Sequence, residues 1–101
     1  MKNSFRSYDL AVNFYRLSRT LQLPRHLKEQ LDRAASSVVL NLAEGRGRGT
    51  KADQKRFFQI AMGSVRECQA ILDLSLSQNA IATSLLDSLA ACVFCLIRSI
   101  G

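Results

Sequence analysis

The 101 residues suffice for one domain. With 48% hydrophobic and 22% charged residues and a single proline, they exclude a disordered, collagen-like or linker chain. Fourteen Lys and Arg against eight Asp and Glu leave a net charge of +6, a basic bias that points to an anionic partner.

The opening stretch Met1–Asp9 lacks the apolar core of a signal peptide. A first helix is expected over about 7–21, with Ser7 as its N-cap, Asp9 in its first turn, and Leu10, Phe14, Leu17 and Leu21 as a bundle seam. Leu23-Pro24 ends it, because the residue before proline is pushed out of helical geometry. A second helix is expected over 24–44, burying Leu27, Leu31, Ala34 or Ala35, Val38 and Leu42, with Gly45 as a left-handed C-terminal cap. Arg46-Gly47-Arg48-Gly49 then reads as a loop. Thr50 opens a third helix over 50–77, with Asp53 in a capping-box-like position and a stripe of Phe57, Ala61, Ser64, Cys68, Leu72 and Ser75. Gln78-Asn79 supplies a turn into a fourth helix over 80–100, with Ile81, Leu85, Leu89, Cys92 or Val93, Leu96 and Ile100 on one face. Its second half is apolar nearly all round, which favours a subunit interface. The uninterrupted apolar run Leu89–Ile97 is nine residues, about half of a membrane span, so a cytoplasmic location is expected. Short connections force neighbouring helices to run antiparallel, and the fold class is all-α: an up-down-up-down four-helix bundle forming a single domain, 1–101.

In that topology the start of the first helix, the 45–50 loop and the end of the fourth helix share one end. There Lys2, Arg6, Arg46, Arg48, Lys51, Lys55, Arg56 and Arg98 face only Asp9, Glu44 and Asp53. Arg46 and Arg48 on a glycine loop could each grip two phosphate oxygens, and free N–H groups at the third helix's start add to the attraction. The bland alternative is a solvated basic surface without a partner. Only Phe57 and Phe58 interleave the basic residues, so duplex or structured RNA backbone is the expected target rather than a stacked single strand.

Chemistry is sparse. Gly45–Lys51 lacks the spacing and preceding strand of a phosphate loop. Cys92-Val93-Phe94-Cys95, with Cys68 and His26, reaches a zinc ligand count, but His26 belongs to the opposite end of the bundle. Three cysteines argue against a disulfide framework, and one histidine is too few for a di-iron carboxylate site. No catalytic residue, metal or cofactor is expected. Asn41, Glu44, Ser64 and Glu67 fall on or near apolar faces, where polar groups need partners. Glu67 bonding to Arg33 or Asn41 would set the helix register, and Ser64 beside Gly63 and Ala61 would permit a close crossing. An anion or base pocket is the functional alternative.

Gln30-Leu31-Asp32-Arg33-Ala34-Ala35-Ser36-Ser37-Val38, Asn41-Leu42-Ala43-Glu44-Gly45 and Phe57–Glu67 resemble the four-helix bundle proteins encoded by intervening sequences of 23S ribosomal RNA genes. The elements Q-L-x-R-A-x-x-S, N-x-A-E-G and I-A-x-G-S-x-x-E come in that family's order, and the likeness spans Tyr8–Ser75. It implies a bacterial cytosolic bundle assembling as a ring-shaped pentamer, associated with ribosomal RNA by gene location. A distant similarity to accessory proteins of diversity-generating retroelements also points to nucleic acid. Arg33, Asn41, Glu44, Ser64 and Glu67 match the family's polar positions, which have no assigned chemistry. The connection Leu23–Leu27 is shorter than the relatives' F-P-x-x-E-x-x-G-L and lacks its glutamate, so no acidic contact from it carries over. The expected function is a non-enzymatic, RNA-associated homo-oligomer. Arg46, Arg48, Lys51, Lys55 and Arg56 would be its phosphate contacts, as grips on the backbone without sequence readout. The alternative is an oligomeric scaffold for a protein partner.

Overall fold

The computed structural model describes residues 2–76 and 79–100. Four helices, α1 (Lys2–Ser18), α2 (Arg25–Arg46), α3 (Lys51–Leu74) and α4 (Ala80–Ser99), form a four-helix bundle with no strand among the described residues. Each helix packs on two others: α1 on α2 and α4, α3 on α2 and α4. The body measures 41 × 21 × 18 Å. Phe14, Leu31, Val38, Leu42, Phe58, Val65, Leu86, Leu89, Val93 and Leu96 fill its axis, all fully buried. Each such side chain contributes about 1.5–3 kcal/mol of burial, which offsets the entropy of ordering the chain.

Two helices follow their sequence signals closely. On α2 the expected stripe Leu27, Leu31, Ala34, Ala35, Val38 and Leu42 is the buried one. At the start of α3, Thr50 Oγ1 accepts from the Asp53 N–H at 3.1 Å, the expected cap. The buried line of α3 is Phe58, Ala61, Val65, Cys68 and Ile71, rotated slightly from the expected one, so Phe57, Ser64 and Leu72 are half-buried.

The other boundaries differ. α1 begins at Lys2, so Ser7 is a fully buried mid-helix residue donating to Cys92 Sγ at 3.0 Å, not an N-cap. The inward line of α1 is Ser4, Ser7, Ala11, Phe14 and Ser18, with Leu10, Leu17 and Leu21 half-buried on its flank. Phe14 of the expected seam is thus buried, while the three leucines pack against the edge of the core. α1 stops at Ser18, before the proline. There Lys28 Nζ donates to the Ser18 and Leu21 carbonyls at 2.8 and 3.0 Å, a cation placed where the helix dipole favours one. On α4, Ala82 and Leu86 are buried, while Ile81 is 71% exposed and does not belong to the core face. Asn79 Oδ1 caps this helix by accepting from Ala82 N–H at 2.9 Å. α3 ends at Leu74, with Ser75 in extended conformation as its C-cap, so it stops short of the expected end at 77; positions 77 and 78 lie outside the described residues.

Gly45 is the main correction. The backbone contains no positive φ among the described residues, and α2 runs through Gly45 to Arg46, with Gly47 at the C-cap. Gly45 is buried because α3 crosses it: a Cβ there would lie 2.6 Å from Phe58 Cε1 and 3.2 Å from Phe57 Cβ. The glycine serves a close helix approach, not a left-handed cap. Gly63, expected to ease the crossing, is exposed, and a Cβ placed there would meet nothing within 4 Å.

The 20-residue α4 contains an 18-residue window of mean hydropathy 2.1 and is long and apolar enough to cross a membrane by length and composition. The uninterrupted run Leu89–Ile97 is only part of this apolar length. In the bundle it turns Ala82, Leu86, Leu89, Val93 and Leu96 inward and leaves Ile81, Ala91, Phe94 and Cys95 exposed.

Candidate nucleic-acid interface

The end of α2, the 47–50 connection and the start of α3 gather five cations within eleven residues, Arg46 to Arg56. The connection is pinned: Gly47 and Arg48 N–H donate back to the Glu44 and Gly45 carbonyls, and Gln54 Nε2 donates to the Arg48 carbonyl at 3.3 Å. Arg48, Lys51 and Arg56 are exposed, and Arg46 and Lys55 half-buried. Glu44 pairs with Arg48 at 3.6 Å and Asp53 with Arg56 at 3.7 Å, both solvent-exposed contacts that hold the guanidinium groups only weakly. At the α3 N-terminus the Asp53 N–H is already taken by Thr50 and the Asp53 carboxylate occupies the first turn, so this terminus offers less to an anion than its sequence implied.

The arginines lie over aromatic rings. Arg46 Cζ is 4.2 Å from the Phe5 ring centre and 5.2 Å from that of Tyr8. Arg48 and Arg56 flank Phe57 at 4.6 and 4.5 Å, and Arg98 lies 5.8 Å from Phe94. Linear order hides this: Phe5 and Tyr8 come from α1, some forty residues before Arg46, while Phe58, counted with the basic residues, is wholly core. Ser4, Phe5, Tyr8, Ala43, Arg46 and Gly47 line an open pocket of about 530 Å³ beside this stack.

The polar positions form a different group. Ser37 and Ser64 share a hydrogen bond of 2.8 Å between α2 and α3, and Asn41 Nδ2 donates to the Ser37 carbonyl and hydroxyl at 2.9 and 3.1 Å. Asn41 and Ser64 are thus brought together through Ser37, a residue that spacing alone did not single out. A serine facing serine across a predicted helix pair was the available signal. Glu67 and Arg33 are exposed and Asn41 is engaged with Ser37, so the expected Glu67 bond does not set the register. Glu44 points to solvent and Arg48.

Cys68 and Cys92 are buried and Cys95 exposed, and no cluster of three metal-ligating side chains occurs among the described residues. Burial, reinforced by the Glu67 charge, pushes the Cys68 thiol from 9.0 up to about 12. The folded chain therefore keeps a proton that the unfolded chain releases, and stability falls as pH rises from about 9 toward 12, by at most about 1.4 kcal/mol per pH unit. Denaturant melts of the native chain and Cys68→Ala at about pH 7 and pH 10.5 should show a shallower alkaline decline in the variant; equal declines would refute this origin.

A protein-family model for the 23S rRNA-intervening sequence protein matches residues 4–100. No curated protein and no solved structure matches the chain. Because the match extends over all four helices, the chain belongs to the 23S rRNA-intervening sequence protein family.

Proposed function

We propose that this chain is a non-enzymatic, cytoplasmic, RNA-associated helical bundle that grips nucleic-acid backbone through Arg46, Arg48, Lys51, Lys55 and Arg56. The observation that carries the reading is the density of cations between Arg46 and Arg56, opposed locally only by Glu44 and Asp53 on exposed pairs. The family's description, which ties these proteins to the 23S rRNA gene, makes RNA the preferred polyanion.

The bundle is read as up-down-up-down. Ser37 meets Ser64 while Gly45 meets Phe58, and Lys28 meets Ser18 while Arg46 meets Phe5, pairings that support opposed directions for α1 and α2 and for α2 and α3. We read the assembly as a ring of five, which would set five basic ends around one axis. Exposed Leu40 (66%), Ile81 and Phe94 supply apolar surface for such contacts. Light scattering on the purified chain is expected to give a pentamer mass; a monomer would remove the ring.

The test of function is binding of a labelled, structured fragment of ribosomal RNA beside a matched DNA duplex, at low and physiological salt. RNA-preferring binding that survives physiological salt is expected. Equal binding that vanishes with salt would reduce the basic end to a nonspecific field. The same exposed apolar residues favour the second reading, a scaffold for a protein partner, which would instead co-purify in a salt-insensitive complex free of RNA.

A further inference from the structure

Phe5 lies in α1, 58% exposed, with one guanidinium 4.2 Å from its ring centre and an open pocket of about 530 Å³ at its side. A phenyl ring left this accessible keeps much of the hydration cost that burial would remove. The pocket lies within the size range of small-ligand sites, about 300–1,000 Å³. Its lining combines two aromatic rings, Phe5 and Tyr8, with the Arg46 guanidinium, and Gly47 at the rim leaves the backbone open to close approach. The second stack, Arg48–Phe57–Arg56, adjoins the first, since Phe57 Cβ comes within 3.2 Å of a Cβ position at Gly45, the residue next to Arg46. Flat π surfaces, planar guanidinium groups and surrounding cations together match one ligand chemistry: a planar heteroaromatic base joined to phosphates. A paired base is stacked on both faces inside a duplex and cannot reach such a platform.

We propose that the Phe5–Arg46–Tyr8 pocket receives an unpaired base of RNA, which stacks on the Phe5 ring and the Arg46 guanidinium while the flanking phosphates meet Arg48 and Lys51. This rests on the RNA-associated reading and refines it: recognition is of single-stranded or looped segments, not of duplex backbone alone, the reverse of what the spacing of aromatics along the chain implied. Stacking of this kind is tolerant of base identity, so the site selects unpaired nucleotides without reading sequence.

The chain has no tryptophan, so Phe5→Trp introduces a single indole reporter at the platform. Short oligoadenylate, the corresponding oligodeoxyadenylate and an RNA duplex of equal length are titrated at low salt, following indole fluorescence and the anisotropy of labelled strands. The single strand of RNA is expected to quench the indole saturably, and the duplex to bind by anisotropy without comparable quenching. Phe5→Leu keeps an apolar contact for Arg46 but removes the π face. It is expected to weaken single-strand binding on the order of 10-fold while leaving duplex binding unchanged. Circular dichroism confirms that both variants remain helical. Unchanged single-strand affinity in Phe5→Leu, or equal quenching by duplex and single strand, would overturn the stacking site while leaving backbone binding intact. Tighter binding of the deoxy strand would overturn the assignment to RNA. Absence of binding to any probe would remove the RNA-associated reading, and the stacking site with it.

Discussion

Gly45→Ala is expected to destabilise the bundle by about 1–2 kcal/mol, whereas Gly63→Ala, the same chemical change on the next helix, should stabilise it by up to about 1 kcal/mol. Both glycines sit inside helices, where alanine lowers the backbone entropy lost on folding by about 1 kcal/mol. At Gly63 nothing lies within 4 Å of the added methyl group, so that gain is realised. At Gly45 the methyl carbon would overlap Phe58 Cε1 and Cδ1 at 2.6 and 2.8 Å. Phe58 is fully buried, so its ring cannot retreat without displacing its core neighbours. Overpacking of this sort costs about 1–3 kcal/mol, more than the propensity gain. Gly45→Val, bulkier and a poorer helix former, should cost about 3 kcal/mol. Denaturant midpoints at constant slope read all three. A Gly45→Ala chain as stable as the native one would show that α2 and α3 can part without penalty.

The largest functional effect is expected for the double reversal Arg46→Glu, Arg48→Glu. If each arginine neutralises one phosphate, losing both lowers the slope of log affinity against log salt by about 1.4–1.8 and weakens binding by on the order of 100-fold near 0.1 M salt. The control is Arg19→Glu, Arg25→Glu, which changes net charge equally. Arg25 starts the 22-residue α2 that Arg46 ends, about 30 Å away at 1.5 Å per residue. The control should keep the native slope. Equal weakening by both double variants would mean that net charge attracts RNA from any direction, and an unchanged slope in the Arg46 and Arg48 variant would remove these residues as phosphate contacts. Arg46→Glu also gives up the stack on Phe5 and Tyr8, so helicity must be checked beside affinity.

What was legible in the chain is what neighbours in sequence decide. The inward stripe of α2 and the Thr50 and Asp53 cap of α3 depend on groups within one or two turns, and both occur as the spacing predicts. The basic segment from Arg46 to Arg56 was equally visible, since its charges lie within a few residues of one another. The need of Asn41 and Ser64 for polar partners is legible from their places near apolar faces, but the partner itself, Ser37, is decided by how α2 meets α3.

Tertiary structure alone decided the rest, because the deciding groups are remote in the chain. α1 carries two usable stripes: the expected seam of Leu10, Phe14 and Leu17, continued by Leu21 beyond the helix end, and the line Ser4, Ser7, Ala11, Phe14 and Ser18, which shares only Phe14 with it. Local hydrophobicity prefers the first, whereas packing against α2 and α4 buries the second and leaves the leucines half-buried. Gly45 looks like a cap when only its own helix is considered, and becomes a crossing point once Phe58 arrives from α3. Phe5 and Arg46 are ordinary surface residues in their own segments. Only the docking of α1 beside the end of α2 turns them into an aromatic and a cation 4.2 Å apart, over an open pocket in a basic field.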